Sequence, residues 1–188
     1  MFGPHPSRRL GLQVEPFDPA LFREAMSRFA SGVTVVTARR GEERVGLTAS
    51  SFASVSLDPP LVLVCVSRTI QAHGIIEAER AFAVNVLGSH QLDVALRFGG
   101  LKPEQTDRFE GLAWTAAVTG APILTDSIAS LDCRLHASHP GGDHTIFVGE
   151  VVGAAIATTG EPLVYHSRAW HRPEALSSAG RAEDTDGI

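Results

Sequence analysis

The sequence has 188 residues, of which 44% are hydrophobic and 20% are charged, and this composition is typical of one globular domain. Its net charge of −5 argues against a nucleic-acid partner and against an anionic membrane surface. No apolar run approaches the roughly 18 residues that span a membrane, and residues 1–15 lack the apolar core of a secretory signal. We therefore expect a cytoplasmic protein that does not enter a membrane.

The first 50 residues predict a loose arm, a helix and a β-hairpin. The arm covers residues 1–16. Asp18 and Pro19 suit the N-cap and the first position of a helix. Apolar side chains then recur at helical spacing and predict a stripe that packs in the core: Leu21, Phe22, Ala25, Met26 and Phe29. A β-branched run at 33–38 predicts the first strand of the hairpin, and residues 45–50, which follow a polar turn, predict its partner.

A run of small hydroxyl side chains follows the hairpin. It contains Thr48, Ser50, Ser51, Ser54 and Ser56 and ends at Asp58-Pro59-Pro60, where neither proline supplies an N–H to a ladder. This pattern predicts a fixed loop before a buried strand at residues 61–67. Such a loop offers backbone N–H groups and hydroxyls with little charge. It suits a flat, polar-edged, uncharged ring, although a plain Ser/Thr-rich connection is the alternative.

The remaining elements are short and alternate between helices and strands. We predict a helix at 70–79 capped by Thr69, a strand at 81–87, a helix at 90–98 capped by Ser89 and a polar helix at 103–109. Short edge strands at 112–114 and 122–124 follow. The last elements are a hairpin with strands 129–138 and 145–156 and a strand at 163–166. Residues 174–188 lack apolar content and predict a disordered tail. The whole pattern predicts a mainly β, largely antiparallel barrel or sandwich with short flanking helices.

The sequence lacks the common nucleotide-binding motifs and disfavours a metal site. Neither a Rossmann glycine motif nor a phosphate-binding P-loop is present. A metal site at His136, His139 and His144 is disfavoured, because an odd separation places His136 and His139 on opposite faces of a strand. Cys65 and Cys133 have no metal-type spacing, and we expect free buried thiols rather than a disulfide.

A Ser-His-Asp hydrolase could be assembled from Ser50 or Ser51 with His144 and Asp143. It is disfavoured because the chain has no Gly-x-Ser-x-Gly elbow and because adjacent Asp143 and His144 do not easily form the required relay. His144, beside a Gly-Gly-Asp turn, is a candidate ligand-facing imidazole. Arg97, near the end of a predicted helix, is by default a charge that favours the helix dipole.

The order of residues from Gly46 to Leu61, Gly-x-Thr-Ala-Ser-Ser-Phe-x-Ser-Val-Ser-Leu-x-Pro-Pro-Leu, closely resembles the signature of the flavin reductase family. The resemblance extends over roughly Phe17 to Arg172. It recurs at residues 29–37, 82–87, 97–98, 107–111, 142–144, 149–151 and 162–165. The family supplies reduced flavin to two-component monooxygenases, so the resemblance implies the same activity here.

The resemblance implies an FMN-binding split β-barrel with Greek-key connections over residues 17–173, usually a homodimer. It implies flavin contacts at Val45, Gly46, Leu47, Thr48, Ser50, Ser51, Cys65, Val66, Ser67, Gln71, Ala72, Arg97 and Phe98, with Arg97 near the phosphate. It implies nicotinamide-nucleotide contacts at His144, Tyr165, His166, Ser167 and Arg168, with His144 as the candidate catalytic residue. The sequence departs from the family at Ser167-Arg168, where an Arg-Gly pair is frequent.

The mechanism implied by the resemblance places the chemistry in the cofactors. NAD(P)H passes hydride from its C4 to flavin N5, so no protein nucleophile or metal is required. Reduced flavin then diffuses to the partner oxygenase. A non-catalytic flavin-binding barrel, acting as a carrier or sensor, is the alternative. We expect FMN as the first flavin and FAD as the second. The sequence leaves open whether the reductant is NADH or NADPH, which oxygenase is the partner, and whether flavin binds tightly or transiently.

Overall fold

The computed structural model describes residues 17–175. The predicted arm at 1–16 and residues 176–188 of the predicted tail lie outside this range. The elements, in chain order, are α1 (Pro19–Ser27), β1 (Ser31–Gly32), β2 (Thr34–Arg40), β3 (Glu43–Ala49), β4 (Phe52–Leu57), β5 (Pro60–Ser67), α2 (Gln71–Glu79), β6 (Ala81–Val86), a 3₁₀ turn (Ser89–Gln91), α3 (Leu92–Phe98), β7 (Trp114–Ala116), β8 (Pro122–Leu124), β9 (Ala129–Gly141), β10 (His144–Ile156), β11 (Val164–His166) and β12 (Ala169–His171). No helix in the described part of the chain is long and apolar enough to cross a bilayer.

A seven-stranded antiparallel sheet, in the order β3-β2-β6-β9-β10-β5-β4, forms the body of the protein. β3 and β4 lie at opposite edges of this sheet, yet only Ser50 and Ser51 separate them in the chain. The sheet therefore curls until its edges approach each other, and β3 contacts β5 across the gap. Two small sheets, β1-β11-β12 and β7-β8, lie beside the barrel. The predicted mainly β, antiparallel architecture with short helices is confirmed.

Two hydrophobic clusters fill the interior. Val36, Val64, Val66, Phe82 and Phe147 belong to the larger cluster, and all are fully buried. The smaller cluster packs α3 against the other side of β2 and includes Val33, Val35, Leu87, Phe98 and Phe109. The alternating burial of β5 places every second side chain in the larger cluster. The predicted buried strand at 61–67 is therefore buried on one face.

Buried Asn85 joins four strands through its side-chain amide. Its Nδ2 donates to the Val35 carbonyl at 3.1 Å and to the Thr37 hydroxyl at 3.2 Å. Its Oδ1 accepts from the Leu124 N–H at 2.8 Å and from the Ser130 hydroxyl at 3.3 Å. These bonds connect β2, β6, β8 and β9 and satisfy polar groups that would be costly to bury unpaired.

The predicted start of α1 is confirmed, because the Asp18 carboxylate accepts the Ala20 N–H at 2.8 Å. The prediction that its apolar stripe packs in the core is wrong. No residue of α1 is buried, and Phe22 and Met26 are 53% and 52% exposed. Phe29, just after the helix, is 70% exposed. Helical spacing establishes that these side chains share a face, but it does not specify what covers that face.

The predicted serine loop is also corrected. Ser54 and Ser56 lie in β4, which pairs with β5 down to Leu57 opposite Pro60. Only the Asp58-Pro59 step is left to turn the chain, because Pro60 is tolerated as the first residue of a strand.

Helix boundaries account for the other differences. α2 and the 3₁₀ turn begin after Ile70 and Gly88, rather than after Thr69 and Ser89. Residues 103–109 form turns instead of the predicted helix, because the Asp107 carboxylate accepts the Phe109 N–H at 2.9 Å. The 129–156 hairpin is confirmed but tighter than predicted, with strands that extend to Gly141 and from His144.

Both cysteines are free thiols, as predicted. Cys133 is fully buried, whereas Cys65 is half-buried. Burial, with a contribution from the Asp132 charge, raises the pKa of the Cys133 thiol to about 12.

Candidate functional site

A cavity of about 620 Å³ opens between β3, the start of α2, the end of α3 and the turns at residues 106–109. This volume lies in the range typical of small-molecule sites. Seven of the residues that the resemblance assigned to flavin line it together: Val45, Gly46, Leu47, Thr48, Gln71, Ala72 and Phe98. The fold therefore brings three separate segments of the predicted site to one place.

Close packing between β3 and α3 shapes the wall of this cavity. A Cβ added to Gly46 would lie 2.6 Å from Cε1 of Phe98 and 3.2 Å from the Val36 carbonyl oxygen. The Phe98 ring is held in turn by an edge-on contact with Phe109, with ring centroids 5.0 Å apart. The Thr48 hydroxyl donates to the Ala95 carbonyl at 2.7 Å and ties β3 to α3. Glycine at position 46 thus allows a backbone surface against an aromatic ring.

A smaller cavity of about 190 Å³ lies beside the first and shares Thr48 and Gly99 with its wall. Ser50, predicted to contact flavin, and Tyr165, predicted to contact the nicotinamide nucleotide, both line it. The Tyr165 ring packs on Trp170, with centroids 4.8 Å apart. The two predicted groups of residues therefore meet at this smaller cavity.

Four predicted flavin residues lie on β5 or contact it, outside the walls of both cavities: Ser51, Cys65, Val66 and Ser67. The Ser51 hydroxyl accepts the Cys65 N–H at 3.2 Å and donates to the Cys65 carbonyl at 3.1 Å. It therefore continues the β4–β5 pairing by one residue, and its hydroxyl is engaged by backbone groups of β5.

His144 begins β10 and lies opposite Ser67 in the ladder, outside the walls of both cavities. Its Nδ1 lies 2.7 Å from Oδ1 of Asp143, so these two adjacent side chains contact each other. The hydrogen bond to His144 lowers the pKa of the Asp143 carboxyl.

His166, Ser167 and Arg168 lie at the β11–β12 turn, outside the walls of the two cavities. The Ser167 N–H donates to the Ser27 carbonyl of α1 at 2.7 Å, and Arg168 lies 3.3 Å from Glu24. Ser167 and Arg168 have φ values of 50° and 61°, a conformation that favours glycine. This turn is where the sequence departs from the Arg-Gly pair frequent in the family.

Arg97 also lies outside the cavity walls. Its Nε donates to the Asp93 carboxylate at 2.6 Å and its Nη1 to the Glu110 carbonyl at 2.8 Å. Lys102 bonds the same carboxylate, and the two cations hold the pKa of Asp93 below its usual range. Arg97 therefore holds α3 to the following turns.

The sequence did not predict the other seven wall residues: Arg44, Ile70, Gly99, Thr106, Asp107, Arg108 and Phe109. Arg108 donates from Nη1 to the carbonyls of Gly46 and Phe98, both at 3.2 Å. The guanidinium of Arg44 stacks over the rings of Phe109 and Trp114, at 5.4 Å from each centroid. The Asp107-x-Phe109-x-Gly111 motif pointed to this segment. Because residues 103–109 were predicted as a helix, the turn that brings the segment to the cavity was not predicted.

The walls combine backbone, aromatic and guanidinium groups with a single carboxylate, Asp107. Within residues 17–175, no three His, Cys, Asp or Glu side chains cluster in a way that could hold a metal ion. Such walls can bind and orient a planar ligand.

Comparison with known proteins agrees with this geometry. Residues 26–173 match the family described as the flavin reductase like domain. The chain belongs to this family.

Two curated members of the family resemble the chain over most of its length. It is 40% identical over 153 residues to the reductase subunit HsaB of a flavin-dependent monooxygenase from Rhodococcus jostii, which covers 81% of the chain and 77% of HsaB. It is 45% identical over 151 residues to the reductase component of 4-hydroxyphenylacetate 3-monooxygenase from Thermus thermophilus, covering 80% of the chain and 94% of that protein.

A solved structure of the family also matches. The NADH:FAD oxidoreductase SgcE6 of Streptomyces globisporus, in complex with NAD and FAD fragments, superposes with a TM-score of 0.80 at 37% identity. The match covers 89% of this chain and 100% of SgcE6. The chain therefore shares the fold of SgcE6, and the split barrel that the resemblance implied is confirmed.

Proposed function

We propose that this flavin reductase family member reduces free flavin at the expense of NAD(P)H and releases it to a separate monooxygenase. The observation that carries the proposal is the larger cavity, whose walls gather seven signature residues from β3, α2 and α3. The names of HsaB and of the Thermus thermophilus protein as reductase components of monooxygenases support the second half of the proposal.

The residues present fit a flavin. Glycine at position 46 lets a strand backbone pass close to the Phe98 ring, and a side chain there would fill the space between them. Peptide groups of residues 45–48 and the Thr48 side chain give this wall a polar edge. When bound, the nicotinamide and the flavin supply the hydride donor and acceptor between them. The chain supplies binding, orientation and exclusion of water.

The smaller cavity gives the second nucleotide a place in this proposal. It shares Thr48 and Gly99 with the larger cavity, and the packed rings of Tyr165 and Trp170 form part of its wall. Binding there would bring a nicotinamide ring beside the flavin. The predicted catalytic role of His144 stays a prediction. A pH profile of a His144→Ala variant that matches the wild-type profile would argue against it.

SgcE6 is named as an NADH:FAD oxidoreductase, which makes NADH and FAD the pair to test beside FMN. A cytoplasmic location belongs to the same proposal and is supported by two free thiols, which persist in a reducing compartment.

We also propose a homodimer. The exposed face of α1, with Phe22 and Met26 half-exposed and Phe29 beyond them, is apolar enough to need a partner. A Phe22→Asp variant should sediment as a monomer, whereas an Arg134→Asp control on an exposed site of β9 should keep the wild-type size. An identical sedimentation coefficient for Phe22→Asp and wild type would contradict the use of this face.

NADH oxidation by the purified protein, with and without added FMN or FAD, tests the enzymatic proposal. We expect oxidation that depends on added flavin and a protein that is nearly colourless as isolated, because flavin is then a substrate. Under anaerobic conditions, each NADH consumed should bleach one equivalent of flavin. A yellow protein that hardly oxidises NADH would favour the flavin-binding carrier or sensor instead.

A further inference from the structure

We propose that a third cavity, of about 350 Å³, binds a small neutral compound that has an apolar body and a carbonyl oxygen. Gln91 and Val94, residues 111–113 and residues 124–126 line this cavity. It shares no wall residue with the two cavities described above. Its volume lies within the range of small-molecule sites. The inference goes beyond the proposed function, because it gives the chain a ligand besides flavin and the nicotinamide nucleotide.

Contacts between the wall segments form the third cavity before a ligand binds. The Thr125 N–H donates to the Ala113 carbonyl at 3.1 Å, and the Thr125 hydroxyl donates to the same oxygen at 3.3 Å. Nε2 of His90, which precedes Gln91 in the chain, lies 3.1 Å from Oδ2 of Asp126. A ligand therefore meets walls that are already joined, and little ordering of the chain opposes binding.

The side chain of Gln91 supplies the specific polar contact. It is only 4% exposed, and its Oε1 accepts the Gly88 N–H at 3.0 Å. Its Nε2 carries two N–H donors and has no hydrogen-bond partner among residues 17–175. Because the side chain is largely buried and lines the cavity, the space open to Nε2 is that of the cavity. A carbonyl oxygen on a ligand would give this donor its acceptor.

Aliphatic side chains supply most of the remaining wall. Val94, Leu112 and Leu124 line the cavity, and Val94 and Leu124 are buried members of the smaller hydrophobic cluster. Leu112 is half-buried and packs against the same cluster. A ring placed against these side chains would leave water and gain apolar contact. The ring would therefore contribute most of the affinity, and the carbonyl oxygen would fix its orientation.

The charge of the wall favours a neutral ligand. Among the described residues that line the cavity, Asp126 is the one ionisable side chain, and it is 79% exposed. An anion would meet this carboxylate without a cation in the wall to offset it. An ammonium group would meet the Gln91 amide with no acceptor to offer it. A neutral carbonyl compound avoids both mismatches.

The test uses three aromatic probes of nearly the same shape. Acetophenone carries the carbonyl oxygen, α-methylstyrene has a CH₂ group in its place, and benzoate has a charged oxygen in place of the methyl group. Ligand-observed NMR titration measures the Kd of each probe for the full chain at pH 8. We expect acetophenone to bind about tenfold more tightly than α-methylstyrene, and benzoate to bind most weakly. Tenfold corresponds to about 1.4 kcal/mol, the size of one hydrogen bond.

Two substitutions at Gln91 test whether its amide causes this preference. Gln91→Met removes the amide at nearly constant length, and Gln91→Glu keeps an acceptor for the Gly88 N–H but replaces the NH₂ group by oxygen. In both variants the preference for acetophenone over α-methylstyrene should fall to about twofold or less. Gln105→Glu makes the same change outside the walls of the three cavities and should keep the wild-type preference. Comparing two probes within one variant separates the loss of the donor from a general loss of stability.

Competition with FMN separates the third cavity from the proposed flavin site. Saturating FMN should leave the Kd for acetophenone unchanged, because the two cavities share no wall residue. Displacement of acetophenone by FMN would put the probe in the larger cavity and overturn the assignment. A preference that survives in Gln91→Met, tighter binding of benzoate than of acetophenone, or no binding of any probe at millimolar concentration would overturn it as well. These measurements detect binding alone, so a failure of flavin reduction would refute the proposed function and leave this site standing.

Discussion

Substituting Gly46 by alanine should damage flavin binding as well as stability. The new methyl carbon would lie 2.6 Å and 2.7 Å from two Phe98 ring atoms, and ordinary contact requires the ring to retreat by about 0.8 Å. Phe98 is 2% exposed and packs edge-on against Phe109, so retreat disturbs a filled core. Overpacking of this kind costs about 1–3 kcal/mol. For a protein of this size, the loss corresponds to a fall in Tm of roughly 2–12 °C.

The assay pairs thermal unfolding with flavin KM, measured well below the midpoint of unfolding. Gly149→Ala is the matched control, because its Cβ would meet the Phe82 ring at 2.5 Å and Cys133 at 2.9 Å in the core, away from both cavities. We expect both variants to lower Tm, and only Gly46→Ala to raise the KM for flavin. The displaced Phe98 ring forms part of the cavity wall, whereas Phe82 does not.

A double variant tests whether the Phe98 contact causes the effect. Replacing Phe98 by the smaller leucine should offset part of the damage, so Gly46→Ala with Phe98→Leu should be more stable than the sum of the single losses predicts. If the stability losses of the two single variants simply add in the double variant, the Phe98 contact is not the cause. An unchanged KM for flavin in Gly46→Ala would mean that this wall does not take part in flavin binding.

Three further outcomes follow from buried or charged groups. Asp93→Asn should cost less than about 1 kcal/mol because the side chain is 46% exposed. Since the native pKa of Asp93 is depressed, the stability difference from wild type should be present above its ordinary pKa of 3.8 and vanish as acid titration proceeds below it. A thiol reagent at about pH 8 should label Cys65 before Cys133 in the native protein, because burial keeps Cys133 protonated; equal native rates would contradict this. Asn85→Ala should lower the free energy of unfolding in urea by at least about 2 kcal/mol, since it strands several buried partners; a smaller loss would indicate that water replaces the amide.

Local patterns predicted most strands and the two hairpins, but they did not predict how strands distant in the chain would pair. Alternation and turn residues located the 33–50 and 129–156 hairpins, because both signals act between neighbours in the chain. The insertion of β9 and β10 between β6 and β5 depends on distant packing. The predicted helix at 103–109 failed for a local reason. The Asp107 carboxylate bonds a nearby N–H and stabilises a turn against helical propensity.

The candidate site shows the same division. Residues 45–48, 71–72 and 98 converge on one cavity because a strand edge and two helix ends meet there, as the resemblance implied. Arg44 and Arg108 were missed because a hairpin position and a turn carry no periodicity. Arg97 has the expected charge near the expected helix end, yet nearby Asp93 and Glu110 engage its guanidinium. A sequence motif records residue types and leaves their partners unstated.

The order of strands in the sheet also bears on when a newly made chain can take up its ligand. Every wall residue of the larger cavity has been synthesised by Phe109. However, β9 and β10 occupy the middle of the sheet of which β3, the wall strand, is one edge, and they are made later. Pairing across such sequence distances is slow and must wait for the missing strands. Flavin capture should therefore begin only after the chain through Ile156 has left the ribosome, which keeps an unfinished reductase from sequestering flavin.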